Sequence, residues 1–160
     1  MNKILILFIL IFQISFSQTK DETIKWLNIN LEHYGDNQFM GTFQIELRED
    51  ENDEEYLLFI KKSTNWLTDK TEYDYYAIKP SYVSLIYLSG KARTNQTLDI
   101  FIQSEEFEIY HRDQDEDLDE LAIHMKNGNN EMASRIQTGL LHLFEVLGNK
   151  IEKPKDLFKN

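Results

Sequence analysis

The stretch RDQDEDLDE, in the second half of the chain, spaces its aspartates two residues apart, as a calcium-binding loop does. Asp113, Asp115 and Asp117 take the first, third and fifth positions of an EF-hand-like loop. The sixth position, where the sharp turn needs glycine, holds Leu118, and the twelfth, where a bidentate glutamate is needed, holds His124. These two failed positions favour a solvated hairpin turn, since runs of charge are usually solvated, and weak or shared calcium binding by the three aspartates is the alternative.

A second acidic stretch, REDENDEE, spans residues 48–55 and offers further carboxylates. Together with Tyr82, the two stretches would present a surface to a basic protein or peptide, because tyrosine combines apolar area with a polar tip. The residues expected to contact that partner are Glu49, Asp50, Asp53, Glu54, Tyr82, Asp113, Asp115 and Asp117. At such a surface, charge would control the association rate and its salt dependence more than the affinity.

Other site chemistries lack their sequence signatures. The chain contains no cysteine, which excludes disulfides, thiolate metal sites and cysteine nucleophiles. No GxSxG, GxGxxG or P-loop motif occurs, and the four histidines have no HxH or HExxH spacing. His111 and His124 lie on neighbouring predicted strands, where a zinc pair would depend on strand register. We therefore expect no enzymatic activity and no cofactor other than calcium.

The net charge of the chain is strongly negative. Twenty-eight acidic residues against 17 basic ones give a formal charge of −11 at pH 7. Such a surface repels the phosphates of nucleic acids and of anionic membranes, so a basic protein or a hard cation is the better-matched partner. The charge also keeps a protein soluble, and it leaves the oligomeric state open.

The N-terminal residues have the layout of a signal peptide. Lys3 precedes an apolar run from Ile4 to Phe12, and Ser15–Ser17 is the small-x-small pattern that signal peptidase accepts. The run is shorter than the roughly 20 apolar residues of a transmembrane helix, although an uncleaved anchor is the alternative. We therefore expect residues 1–17 to be removed and residues 18–160 to form one exported domain, periplasmic or secreted, without later membrane insertion.

Apolar periodicity predicts the elements that would position the acidic stretches. Thr19–Glu22 matches a capping box, and apolar residues from Ile24 to Tyr34 recur at helical spacing, so a helix should end in a left-handed cap at Gly35. Alternating apolar residues predict about seven strands, over residues 38–47, 56–61, 72–78, 83–88, 97–103, 106–112 and 120–126. Short connections between them favour antiparallel pairing.

A second amphipathic helix is predicted near the end of the chain. Its apolar residues recur at helical spacing from Ile136 to Leu147, just before Gly148. Gly139 lies inside this helix, where glycine costs about 1 kcal/mol relative to alanine, and we expect it to permit close approach to a sheet. The predicted order is helix, antiparallel strands, helix, within one α+β domain.

This order resembles the pleckstrin-homology-like roll, in which a helix plugs one end of a bent sheet. The closing stretch ASRIQTGLLHLFEVLG and the opening helix ETIKWLNINL also resemble small secreted bacterial proteins of unknown function. The resemblance implies a seven-stranded antiparallel bent sheet or roll between two helices. It also implies that the loops at residues 48–55, 79–82 and 112–119 meet in an acidic mouth, opposite in charge to the phosphoinositide-binding mouth of lipid-binding members.

We therefore expect an exported, non-enzymatic binding module that presents its acidic loops to a basic protein or peptide. One alternative is an inhibitor or immunity protein, which would use the same surface to neutralise a basic, envelope-acting enzyme. Another is a calcium-stabilised envelope protein. An enzyme with an unrecognised carboxylate site is a further alternative.

Overall fold

A computed structural model describes residues 19–36, 40–90, 98–105, 107–126 and 128–151. The helices are α1 (Lys20–Tyr34) and α2 (Asn130–Val146), and the strands are β1 (Thr42–Glu49), β2 (Glu55–Asn65), β3 (Lys70–Ile78), β4 (Val83–Gly90), β5 (Leu98–Ser104), β6 (Ile109–His111), β7 (Glu116–Leu118) and β8 (Glu120–Ile123). A short 3-10 turn, Pro80–Tyr82, joins β3 to β4. The predicted signal peptide, residues 1–17, lies outside the described residues. Within those residues, no helix has the length and apolar character that crossing a bilayer requires.

All the paired strands described are antiparallel, and they form two sheets. The five-stranded sheet has the order β1-β2-β3-β6-β7, and the three-stranded sheet has the order β4-β5-β8. The predicted α+β class, with an N-terminal and a C-terminal helix, is confirmed. The described residues form eight strands in two sheets, where the sequence predicted about seven strands in one bent sheet.

The additional strand, β7, comes from the acidic stretch itself. Residues 112–115 form the turn of a β6–β7 hairpin, and Asp115 has the left-handed φ of 50° that such a turn requires. The chain then passes to the other sheet, where the amide of Ser104 donates to the carbonyl of Asp119 at 2.9 Å. Glu116–Leu118 is short and acidic and has no apolar alternation, so its sequence does not predict a strand.

Helix α1 begins at the predicted capping box. The Glu22 amide donates to Thr19 Oγ1 at 3.3 Å, and the Thr19 amide donates to Glu22 Oε2 at 3.1 Å. The predicted left-handed cap at Gly35 is wrong, because Gly35 has an extended φ of −66° and pairs with Met125. Glycine is nevertheless required there, since a Cβ atom would lie 2.5 Å from the carbonyl oxygen of Leu31.

The two helices and the inner faces of both sheets enclose one apolar core. Helix α1 packs on β1 and on α2, and α2 packs on β4 and β5. Fully buried members of the core from both helices and both sheets are Leu27, Leu31, Phe59, Ile102, Leu140 and Phe144. The division into a signal peptide and one domain stays a prediction.

The sequence predicted that Gly139 would permit close approach to a sheet. In the structure it packs against helix α1 instead. A Cβ atom on Gly139 would lie 2.9 Å from Cζ3 of Trp26 and 3.1 Å from Cδ2 of Leu27. The glycine therefore lets α1 and α2 approach closely at their crossing point.

Each helix also covers an edge strand with an amide side chain. Asn28 of α1 bonds both backbone groups of Ile45 in β1, accepting from its amide at 2.7 Å and donating to its carbonyl at 2.9 Å. Gln137 of α2 donates to the carbonyl of Ile86 in β4 at 2.9 Å. Both strands are at the edge of their sheet, so these bonds satisfy groups that would otherwise lack a strand partner.

Candidate functional site

The first acidic stretch forms the turn between β1 and β2. The Asp50 carboxylate accepts hydrogen bonds from the amides of Asn52 at 2.8 Å and Glu54 at 3.1 Å, and Asp53 has a left-handed φ of 61°. This is the local bonding by which aspartate stabilises a turn. The residue types that suggested a ligand site are thus partly explained by the turn that they build.

Lys79 lies between two carboxylates of this turn. Its Nζ is 2.6 Å from Glu54 Oε2 and 3.2 Å from Asp50 Oδ2. The hydrogen bonds to Glu54 and Asp50 raise the pKa of Lys79. The pKa of Asp50 is lowered, first by the amide of Asn52, then by that of Glu54, and also by Lys79. The acidic turn is therefore partly neutralised by a lysine of the chain itself.

A groove of about 620 Å³ opens beside this turn, on the outer face of the five-stranded sheet. It is lined by apolar, aromatic, acidic and basic side chains, namely Glu49, Asp50, Glu51, Tyr56, Leu58, Ala77, Ile78, Lys79, Tyr82, Glu108, Tyr110 and Arg112. Three tyrosines line a groove with acidic residues at its β1–β2 end. Such a surface can contact aliphatic stems and pair with cationic groups at the same time.

The second acidic stretch lies at the opposite end of the same sheet. The positions of the two turns can be compared along the strands, because paired residues in neighbouring strands form one row across the sheet. This row consists of Leu57, Ile78, Ile109 and Leu118. Strands β2 and β6 run in the same direction, so Glu55, two residues before Leu57, and Asp113, four residues after Ile109, lie on opposite sides of this row. At about 3.4 Å per residue, the two turns are about 20 Å apart along the strands.

The predicted partner contacts consequently separate into two groups. Glu49, Asp50 and Tyr82 line the groove, and Glu54 and Asp53 belong to the turn at its edge. The aspartates of the second stretch are not among the lining residues, namely Asp113, Asp115 and Asp117. The loops after β1 and β3 meet, as the resemblance implied. From the loop after β6, Arg112 lines the groove, but the three aspartates do not.

Tyr110 connects the groove to the second stretch. Its hydroxyl donates to Asp115 Oδ1 at 2.8 Å, and this bond is the main reason why the pKa of Tyr110 is raised. Asp113 makes a different contact, in which its Oδ2 accepts from the amide of Tyr75 at 3.0 Å. Each of these aspartates therefore has a role in shaping the hairpin.

Asp113 also belongs to a cluster with Asp74 and His111, which we call the His111 cluster. One potential ligand atom from each residue lies within 4.8 Å of the other two, and no other group of three such side chains meets this distance in the described parts of the chain. Asp115 and Asp117 are outside it, so the structure does not gather the three predicted calcium ligands in this way. Calcium binding by that stretch stays a prediction.

His111 is buried, with 4% of its surface exposed. Its ring stacks on Tyr76 with centroids 4.5 Å apart, Nε2 lies 3.7 Å from Asp74 Oδ1, and Nδ1 lies 3.9 Å from Glu116 Oε1. Burial, followed by the charges of Asp74, Asp113 and Glu116, raises the pKa of the Tyr76 phenol to about 12. The imidazole is thus surrounded by carboxylates, and Lys61 Nζ lies 3.7 Å from Asp74 Oδ2.

The zinc pair of His111 and His124 that the sequence suggested is not formed. His111 belongs to β6 in the five-stranded sheet, whereas His124 follows β8 in the three-stranded sheet, where its Nδ1 lies 3.1 Å from Asp99 Oδ2. Strands β6 and β8 are not neighbours, so the strand pairing on which a zinc pair depended is absent from the described sheets.

Sequence reasoning also missed an exposed apolar tip. Trp66 and Leu67, at the turn of the β2–β3 hairpin, are 80% and 72% exposed. The turn is held by Asn65, whose Oδ1 accepts from the amide of Leu67 at 3.1 Å. Two large apolar residues in an otherwise polar turn are unusual. This pattern in the sequence was an available signal for the exposed tip.

No protein-family model, curated protein or solved structure matches this chain. Function is therefore inferred from the geometry of the chain's own residues.

Proposed function

We propose that this protein is an exported, non-enzymatic binding module whose groove takes a basic segment of a protein partner. The observation that carries the proposal is the combination of Tyr56, Tyr82 and Tyr110 with the acidic residues Glu49 and Glu51 in one groove. Tyrosine is enriched where proteins recognise each other, and carboxylates beside it select cationic side chains. The net charge of −11 favours a basic protein over a nucleic acid.

Lys79 supports the same assignment. It shows that an ammonium group fits between Asp50 and Glu54, at 3.2 and 2.6 Å. Glu49 and Glu51 lie on either side of Asp50 in the chain and are exposed, so they are available to the cation of a partner. An arginine of the partner could also stack on a tyrosine ring while pairing with one of these carboxylates.

The second acidic stretch enters this proposal only for a long partner. Because about 20 Å separates the two turns, Asp113, Asp115 and Asp117 would contact a segment that runs along the strands from the groove. A short peptide in the groove would leave these three aspartates free. The pleckstrin-homology-like roll is likewise a proposal, supported by two antiparallel sheets followed by a helix.

The first experiment uses a lysine- and leucine-containing dodecapeptide and a matched peptide with glutamate in place of lysine. Amide chemical shifts of the labelled protein would be followed during titration. We expect saturable changes at Tyr56, Tyr82 and Tyr110 with the basic peptide only. Changes spread evenly over all acidic surfaces, or equal changes with the acidic peptide, would refute the groove as the binding site.

Variants separate the groove from general attraction. Glu49→Gln and Glu51→Gln should slow association and reduce its salt dependence, whereas Tyr82→Ala should speed dissociation. Trp66→Ala is the matched aromatic control, because this exposed side chain lies at the tip of the β2–β3 hairpin and not in the groove. An equal effect of Tyr82→Ala and Trp66→Ala would count against the groove.

Two of the alternatives from the sequence predict different experimental results. An inhibitor or immunity protein should retain its target at high salt, since tight inhibition needs a closely packed interface as well as charge. A calcium-stabilised protein should show a melting temperature that rises progressively with calcium and not with magnesium.

A further inference from the structure

We propose that Asp74, His111 and Asp113 bind one divalent transition-metal ion, with Zn²⁺ as the reference case. The three residues come from β3, from β6 and from the turn that follows β6. They offer one imidazole nitrogen and two carboxylates whose ligand atoms lie within 4.8 Å of one another. This site is separate from the groove, and it shares only Asp113 with the calcium spacing Asp113, Asp115 and Asp117.

The distance between His111 and Asp74 fits two ligands of one ion. Nε2 and Oδ1 are 3.7 Å apart, which is too far for a direct hydrogen bond. Two ligands bound at 2.0–2.1 Å in tetrahedral geometry are about 3.4 Å apart. The third ligand belongs to Asp113, an exposed residue in a turn, so a small side-chain movement can bring its carboxylate to the same distance.

The buried imidazole supplies an independent reason. The side chain of His111 is 95% buried, and its Nε2 has no hydrogen-bond partner in the described part of the chain. A buried polar atom without a partner is destabilising and calls for an explanation. With its proton on Nδ1, towards Glu116, His111 would direct the lone pair of Nε2 towards the carboxylate of Asp74. A cation between them would pair with Nε2 and with Oδ1 of Asp74, whose Oδ2 lies 3.7 Å from Lys61 Nζ.

The surrounding contacts orient the ligands. Tyr76 stacks on the imidazole and fixes the plane of its ring. The amide of Tyr75 donates to Asp113 Oδ2 at 3.0 Å and leaves Oδ1 for a metal. Glu116 Oε1 is 3.9 Å from Nδ1, on the other side of the ring, where metal-binding histidines commonly meet a carboxylate.

The donor set selects the class of ion. Imidazole nitrogen suits zinc and other first-row transition metals, whereas calcium and magnesium prefer oxygen ligands alone. Three protein ligands leave at least one position for water on the side of Asp113. A bound ion would add a link between β3 and the β6–β7 hairpin, which are also joined by a short register from Ile78–Ile109 to Tyr76–His111 and by the bond from the Tyr75 amide to Asp113.

The test is a titration of the full chain, expressed with its own N-terminal segment, with ZnCl₂ alone. Isothermal calorimetry gives stoichiometry and affinity, and the ring nitrogen shifts of His111 identify the ligand. We expect one Zn²⁺ per chain with a direct shift at Nε2 of His111, and no competition by equimolar Ca²⁺. Saturation without an effect on His111, absence of saturable binding, or equal competition by Ca²⁺ would each overturn the proposal.

Asp113→Asn is the preferred variant because Asp113 is exposed and asparagine can still accept from the Tyr75 amide. We expect it to weaken Zn²⁺ binding about tenfold or more, since even groups around a metal's ligands matter by that factor. Asp115→Asn makes the same charge change in the same hairpin, outside the cluster, and should change affinity less than about twofold, the effect of one screened surface charge. Equal losses in both variants would show diffuse attraction and overturn the assignment.

Discussion

Replacement of Asn28 tests whether helix α1 stabilises the five-stranded sheet through one amide side chain. Asn28 bonds both the amide and the carbonyl of Ile45, at 2.7 and 2.9 Å, and Ile45 is 1% exposed. Asn28→Ala removes two hydrogen bonds of about 1 kcal/mol each and leaves two backbone groups of an edge strand without partners. We therefore expect the free energy of unfolding to fall by about 2 kcal/mol, and by up to about 4 kcal/mol if no water reaches them.

The assay is urea unfolding followed by circular dichroism, in which the midpoint should fall while the slope stays constant. Asn30→Ala is the matched control on the same helix. Among the described residues, Asn30 donates only to the carbonyl of Trp26, four residues earlier, and alanine is the better helix former. A loss below about 0.5 kcal/mol for Asn28→Ala, the size of an ordinary surface change, would refute the proposed role of Asn28.

Asn28→Asp adds a pH-dependent form of the same test. A carboxylate can accept from the Ile45 amide but faces the Ile45 carbonyl, so the folded protein should raise the pKa of this aspartate above its usual value of about 3.9. The protonated acid restores the lost donor. Its stabilising contribution is therefore complete below about pH 3.9 and is lost as the pH rises through the raised pKa. A stability difference from wild type that does not change with pH would contradict this geometry.

Three further perturbations follow from the packing, the turns and the charges. Gly139→Ala should lower stability by about 1 kcal/mol despite the better helix propensity, because its Cβ would meet Trp26 at 2.9 Å, and Trp26→Ala should reverse the sign in a double-mutant cycle. Asp69→Gly should raise the melting temperature, since Asp69 has a φ of 52° that glycine adopts without strain. Asp50→Asn should lower the melting temperature at pH 7. The difference in melting temperature from the wild type should disappear as the pH falls below 3.8 through the lowered pKa of Asp50.

The sequence predicts most of the elements because their signals are local. The capping box at Thr19, the alternation in β1 and β2, and the amphipathic stripe of α2 each express a periodicity that the described structure retains. The missed strand β7 has only three residues and no apolar face of its own. It forms because β6 offers a hydrogen-bonding edge, which is a tertiary cause that single-sequence periodicity does not contain.

The candidate sites were harder to predict, because they depend on strand register. Asp74 alternates in phase with Tyr76 and Ile78, and His111 alternates in phase with Ile109, so both polar residues fall on the side of their strand that faces inward. A charged or polar residue in the buried phase of a strand is an available sequence signal. The signal identifies each residue separately, but only the pairing of β3 with β6 shows that they meet.

Strand β6 positions both candidate sites on opposite faces of one sheet. Tyr110 is exposed and lines the groove, whereas His111, the next residue, is buried in the cluster with Asp74 and Asp113. Because successive side chains of a strand point to opposite faces, a peptide in the groove need not compete with a metal ion at His111. Asp113→Asn should thus weaken metal binding and leave unchanged the affinity of the groove for a basic peptide too short to reach the second acidic stretch. Failure of one site would therefore not count against the other.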